Sequence, residues 1–230
     1  MNVIADNIEQ IRERIKKAAL DRGRSPENVR LVAVTKTVSP EQIRKAAEAG
    51  LDCFGENYIQ EADKKIKALA DIGVSWHFIG HLQSNKAKYA VRLFDLIHSV
   101  DSLKLAKELN RQASGHGKIQ KILIQVNLAG EQTKSGAGKQ AAVELISDIA
   151  RLENLSVQGL MTLPPFFDAP ETVRPYFRQL ADLRDEIAAK NIANVKMAEL
   201  SMGMTGDFET AIEEGATLVR IGTAIFGERS

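Results

Sequence analysis

The sequence predicts an α/β fold, a closed (β/α)8 TIM barrel with an extra N-terminal helix. Short apolar runs alternate with amphipathic helical patterns eight times along the 230 residues. A closed barrel of this kind takes about 250 residues. The turn after the first strand, "TKTVSPE", has no glycine, although an open doubly wound sheet often places a glycine-rich turn there. That open sheet is the alternative topology.

The opening helix covers about Val3 to Arg22, with Ile4, Ile8, Ile11 and Ile15 on one face. Strand 1 runs from Arg30 to Lys36. In "SPEQIRKAAEAG", Ser39 is the N-cap, Pro40 takes the first helical position and Gly50 stops the helix. "LDCFGEN" is strand 2, and a helix follows from about Tyr58 to Leu69. "SWHFIGH" is strand 3, with "QSNKAKYAVRL" as its helix. "LIHSV" is strand 4, followed by a helix from Ser102 to Gln112. "KILIQVNL" is strand 5; a glycine-rich loop, Gly130 to Gly138, leads to a helix near Lys139 to Leu152. "SVQGLMT" is strand 6, with a long helix from about Glu171 to Lys190. "VKMAELS" is strand 7, with a short helix near Phe208 to Glu214, and "TLVRIGTAIFG" carries strand 8. The loops "SGHGK" and "LPPFFDAP" sit inside this pattern, so residues 1–230 read as a single domain.

Composition narrows the function classes. The chain is 44% hydrophobic and 27% charged, with a net charge of +1. That balance supports a sizeable core and leaves no electrostatic footprint for nucleic acid or an anionic membrane. No apolar stretch approaches the roughly 20 residues that span a bilayer. The start, "MNVIADNIEQIRERI", has no apolar core of a signal peptide. Cys53 is the only cysteine and cannot form an internal disulfide, which favours a reducing compartment. Nothing in "LDCFG" would activate its thiol, so it reads as a small buried hydrophobe. A cytoplasmic protein is expected.

In a (β/α)8 barrel, function sits at the C-terminal ends of the strands. The polar residues there are Lys36, Glu56 and Asn57, His81, Ser99, Asn127, Thr162, Ser201, and then Arg220 with Gly222 and Thr223. Ser201, Gly203 and Gly206 after strand 7, with Gly222 and Thr223 after strand 8, read as an anion site. Small residues let backbone N–H groups approach a ligand, and these two loops are the frequent phosphate position in this fold. The plain alternative is turn punctuation. Lys36 ends an apolar strand, where desolvation favours a neutral amine able to condense with a carbonyl. The plain alternative is a snorkelling lysine. With a phosphate cradle across the rim, a phosphorylated aldehyde such as pyridoxal 5′-phosphate (PLP) joins the two. Arg220 then faces the ring nitrogen, and an arginine cannot take up the proton an aspartate would stabilise there. Its alternative is an ion pair with Glu199. His77 and His81 are four apart without a third ligand, so no metal site is expected.

The stretches "LVAVTKTVS", "FGENYIQE", "WHFIGHLQSNK", "GLMTL" and "LSMGMTGDFETAIEEGATLVRIGTAIFG" resemble the pyridoxal phosphate homeostasis protein family, over nearly the whole chain. The resemblance implies a barrel of the alanine racemase N-terminal-domain type, with PLP as a Schiff base on Lys36. By motif position it implies that Ser201, Gly222 and Thr223 hold the phosphate, Arg220 lies near the pyridine nitrogen and Asn57 lines the pocket. It implies a role in vitamin B6 homeostasis without established turnover, with PLP-dependent apoenzymes as candidate partners. The family pattern near "E..K.G" in the strand-5 loop is met here by Glu131, Lys134 and Gly136. Two enzymes are the alternatives. A PLP-dependent racemase needs groups on both faces of the substrate carbanion; Tyr58, Tyr89 and Tyr176 fall in helices, and the sequence ends shortly after strand 8, leaving no β-rich second domain to be expected. A Schiff-base aldolase without PLP uses Lys36 but gives Arg220 no task. An open rim makes a monomer the expected state.

Overall fold

Apolar spacing of three and four residues in the helices and short apolar runs, buried on both faces, in the strands mark the element order. The computed structural model describes residues 3–130, 135–165 and 169–227. Its elements are α1 (Val3–Leu20), β1 (Arg30–Val34), α2 (Pro40–Glu48), β2 (Cys53–Glu56), α3 (Ile59–Ala68), β3 (Ser75–Phe78), α4 (Ala87–Leu93), β4 (Leu96–Val100), α5 (Leu103–Gly115), β5 (Gln120–Gln125), α6 (Lys139–Ile149), β6 (Leu155–Met161), α7 (Pro170–Ala188), β7 (Val195–Ser201), α8 (Phe208–Glu213), β8 (Leu218–Ile221) and α9 (Thr223–Phe226). The strands pair in chain order, and β8 returns to pair in parallel with β1, so the sheet closes. The open-sheet alternative is thereby excluded.

Local signals act as the sequence implies. Ser39 and Gln42 form a reciprocal capping box at the start of α2, and Gly50 leaves it with φ +86°. The extra helix α1 buries Ile8, Ile11 and Ile15 and packs over α2, α8 and α9. Arg14 grips Glu209 of α8 with two hydrogen bonds of 2.8 and 2.9 Å.

The run "TLVRIGTAIFG" departs from expectation. Only Leu218–Ile221 is strand, and Thr223–Phe226 turns into α9. Four apolar residues are too few for periodicity to distinguish strand from helix. Tertiary contact decides: Ile225 is fully buried, and the Asn7 side chain of α1 donates to its carbonyl at 3.0 Å. β1 likewise stops two residues before Lys36, because residues 35–37 turn toward α2.

Two cores result. The larger lies between the outer face of the sheet and the helices. The smaller fills the barrel interior with Val32, Cys53, Leu96, Leu123, Met161 and Leu218, each from a different strand. Side chains alternate across a strand, so the parity that turns Val32 inward also turns Val34 toward the axis, and Lys36, in the turn beyond, lines the same mouth. Among the described residues no helix is long and apolar enough to cross a membrane.

A tight point of the barrel lies between β6 and β7. A Cβ added at Gly159 of β6 would lie 1.8 Å from the Glu199 carbonyl oxygen of β7. Backbone cannot yield there without breaking the pairing. Gly159→Ala is expected to cost about 3 kcal/mol or more, measured as a lowered urea midpoint.

Candidate functional site

Lys36 is held by its neighbours. Thr35 is fully buried; its N–H donates to the Gly55 carbonyl at 2.9 Å and its hydroxyl to Glu56 Oε1 at 2.7 Å. Thr37 is a β-branched residue in the left-handed region, φ +65°, a conformation that needs outside support. Its N–H donates to Glu61 Oε1. Both carboxylates meet at Lys65 of α3, which is buried, sits 2.8 Å from Glu56 Oε1, and also donates to Glu61 and to the Thr35 carbonyl. One buried ammonium therefore ties down the residues on both sides of Lys36. Burial pushes the Glu56 carboxyl up, opposed by the Lys65 and Thr35 hydrogen bonds.

A cleft of about 300 Å³ opens at the C-terminal ends of the strands. Val34, Lys36, Asn57, Arg220, Gly222 and Thr223 line it, together with residues Met204 to Asp207. Five of the six expected site residues therefore share one cleft. A larger cavity, about 600 Å³, lies at the opposite end of the barrel beside Arg24, Arg30 and Glu199, away from the strand ends where this fold carries its chemistry.

Ser201 is placed differently. It is fully buried beneath Arg220 and does not line the cleft. Its hydroxyl accepts from Arg220 Nη1 and meets His98 Nδ1 at 2.9 Å. Being the last residue of β7, it still carries the inward parity of the strand and is covered by the longer Arg220 side chain. The hydroxyl that the strand-7 loop brings to the cleft is Thr205, 3.3 Å from the Thr223 hydroxyl. Thr205 stands in the quoted motif "SMGMTGD", but only the loop path shows which hydroxyl faces out.

Arg220 has no carboxylate partner among the described residues. Its Nη2 donates to the Thr162 carbonyl at 2.9 Å. Burial pulls the guanidinium down to about 10, opposed by the charge of Asp207, so it remains a cation at neutral pH. The expected alternative, an ion pair with Glu199, is not formed: Glu199 accepts from the Thr217 hydroxyl. Asp207 lines the cleft and its Oδ1 accepts from Met204 N–H at 2.6 Å; burial pushes its carboxyl up. His77 and His81 share no site. His77 is buried in the barrel, while His81 is exposed on the rim, 3.0 Å from the Ser135 hydroxyl. Among the described residues no cluster could hold a metal ion. Cys53 is buried and its thiol is pushed up to about 12 by burial, which fits the inert reading. Glu131 and Lys134 lie outside the described residues.

The sequence matches the family described as "Alanine racemase, N-terminal domain" over residues 2–230. It is 48% identical to the pyridoxal phosphate homeostasis protein of Aquifex aeolicus over 224 residues, covering 97% of each chain. The chain belongs to the pyridoxal phosphate homeostasis protein family. The Escherichia coli K12 family member is 43% identical over 237 residues, with 100% of this chain and 98% of that one covered. Among solved structures, PipY of Synechococcus elongatus with PLP bound superposes with a TM-score of 0.85 at 35% identity, over 97% of this chain and all of the other. The family fold agrees with the closed barrel.

Removing one partner of the buried pair leaves the other charge uncompensated. Lys65→Met is expected to lose about 3–5 kcal/mol of stability, and adding Glu56→Gln is expected to recover much of it in chemical denaturation. A pH effect follows from the interior histidines. Burial lowers His77 to about 4, with Arg30 adding to it, and lowers His98 well below its usual range. The unfolded chain binds these protons near pH 6.5, whereas folded His77 binds its proton only near pH 4 and folded His98 well below its usual range, so stability is expected to fall as pH drops below about 6.5. Denaturation curves at stepped pH check this; a His77→Gln, His98→Gln variant should show a flatter decline.

Proposed function

We propose that the protein binds PLP at the barrel mouth and serves PLP homeostasis in the cytoplasm, holding the cofactor rather than turning over a substrate. The observation that carries this reading is the shared cleft of Lys36, Arg220 and the loops at Thr205 and Thr223.

The residues present fit PLP on three counts. Asn57 Oδ1 is a buried acceptor without a hydrogen-bond partner among the described residues; an O–H on a ligand, such as the ring hydroxyl of PLP, would satisfy it. At Gly222 a Cβ would sit 3.3 Å from Val34 Cβ and from its carbonyl oxygen, so glycine keeps the cleft open beside β1. The donor set is matched as well, with a guanidinium that can only donate and two hydroxyls 3.3 Å apart.

In this reading Lys36 supplies the amine that condenses with the aldehyde, releasing water. Gly222, Thr223 and Thr205 hold the phosphate. Arg220 donates to the ring nitrogen and keeps a proton off it. PLP supplies an electron sink to amines when bound, and an arginine at the nitrogen keeps that sink weak. Such a site suits a reservoir better than a catalyst. PLP-dependent apoenzymes are its recipients and a monomer is its working state.

Purified protein given PLP should absorb as a lysine-linked chromophore, and borohydride should fix a mass increment on the peptide containing Lys36. Lys36→Ala should abolish both; a variant that keeps the fixed increment would refute Lys36 as the attachment point. Arg220→Glu should raise pyridine protonation, read as a change in the bound absorption and its pH dependence.

A further inference from the structure

Five polar side chains run through the barrel interior in unbroken contact. Arg220 Nη1 reaches Ser201 Oγ, Ser201 Oγ is 2.9 Å from His98 Nδ1, His98 Nε2 is 3.0 Å from His77 Nδ1, and both nitrogens of the His77 ring lie 3.5 Å from Cys53 Sγ. They come from β8, β7, β4, β3 and β2, and all are at most 3% exposed. Neighbouring interior positions are filled by Leu96, Leu123, Met161 and Leu218. Burying imidazoles there is costly unless each nitrogen is satisfied, so the polar line needs a task.

We propose that Ser201, His98 and His77 form a one-directional column of hydrogen bonds that braces the Arg220 guanidinium against the cleft, making Ser201 and His98 positioning residues for Arg220. The inference rests on the reading of Arg220 as partner of the PLP ring nitrogen.

The direction of the column follows from counting protons. Arg220 can only donate, so Ser201 Oγ accepts from it. The Ser201 hydroxyl then has one proton to place, and in a sealed interior its available acceptor is His98 Nδ1. A neutral His98 with an accepting Nδ1 carries its proton on Nε2, which donates to His77 Nδ1. His77 in turn carries its proton on Nε2, beside the Cys53 sulfur. In this order each proton of Ser201, His98 and His77 has an acceptor. In the reverse order the Ser201 proton has none, and a buried orphan donor costs about 1–3 kcal/mol. Protonated imidazoles would add a second cation beside Arg220, and burial keeps both rings neutral.

Neutrality explains why this brace suits the site. A carboxylate behind Arg220 would hold it more strongly, but would draw its charge and its N–H groups away from the cleft. A hydroxyl and the Thr162 carbonyl grip two edges of the guanidinium without a counter-charge. The column behind Ser201 keeps that hydroxyl's lone pair turned toward Arg220.

The test uses the full chain with and without PLP. In the apoprotein labelled with 15N-histidine, His98 and His77 should both be neutral with the proton on Nε2; a proton on Nδ1 of His98 would overturn the column. The Arg220 Nη resonances should be distinct in the wild type and averaged in Ser201→Ala, with Ser201→Thr restoring them; equal spectra in wild type and Ser201→Ala would overturn the brace. With 15N-labelled PLP, Ser201→Ala should still fix PLP on Lys36. Its pyridine nitrogen signal should move toward the protonated value and its PLP affinity should fall about tenfold, the scale of one lost hydrogen bond. An unchanged signal with unchanged affinity would overturn the proposal. A wild-type protein that takes up no PLP would sink the functional reading alone, because the two apoprotein spectra decide the column independently.

Discussion

Pairing of β8 with β1, from Arg30 opposite Leu218 to Ala33 opposite Ile221, closes the sheet and fixes which side chains face its axis. Val32 lies directly opposite Arg220 in that register. Two residues further on, the same parity carries Val34 to the mouth, and Lys36 follows in the turn beyond it. The cation just past the first strand and the cation inside the last thereby share one wall. A doubly wound open sheet would not have paired the first strand with the last.

Closure also creates an interior sealed from water, and the polar groups there divide into two systems. Around Lys36, the Glu56–Lys65 pair uses opposite charges to hold a backbone turn that includes a strained threonine. Behind Arg220, hydroxyl, carbonyl and neutral imidazoles do the holding. The difference follows from what each must leave available. The turn at Lys36 only has to be rigid, so charge neutralisation within it is harmless. Arg220 lines the cleft, and its supports contribute hydrogen bonds without a countercharge.

Glycines serve this arrangement by allowing backbones to approach. Gly159 lets β6 lie against the Glu199 carbonyl, and Gly222 keeps the rim beside Val34 open. Gly80 does the same next to the site, since a Cβ there would sit 2.2 Å from the Asn57 carbonyl oxygen. Asn57 is thus held at the cleft by a close contact between the ends of β2 and β3.

Strand and helix order, the capped start of α2 at Ser39, and the place of Lys36, Asn57 and Arg220 at the C-terminal ends of their strands were legible in the sequence, because each depends on spacing along one segment. Tertiary structure alone decided matters that depend on another segment. Whether "TAIF" became strand or helix turned on the contact between Ile225 and Asn7. Whether Ser201 or Thr205 faced the cleft turned on the length of the Arg220 side chain lying over Ser201. That His98, in an ordinary apolar strand, would stand behind Ser201 required the barrel to bring β4 across from β7. A linear pattern records which way a side chain points, and it cannot record what the far wall of a closed barrel places in front of it.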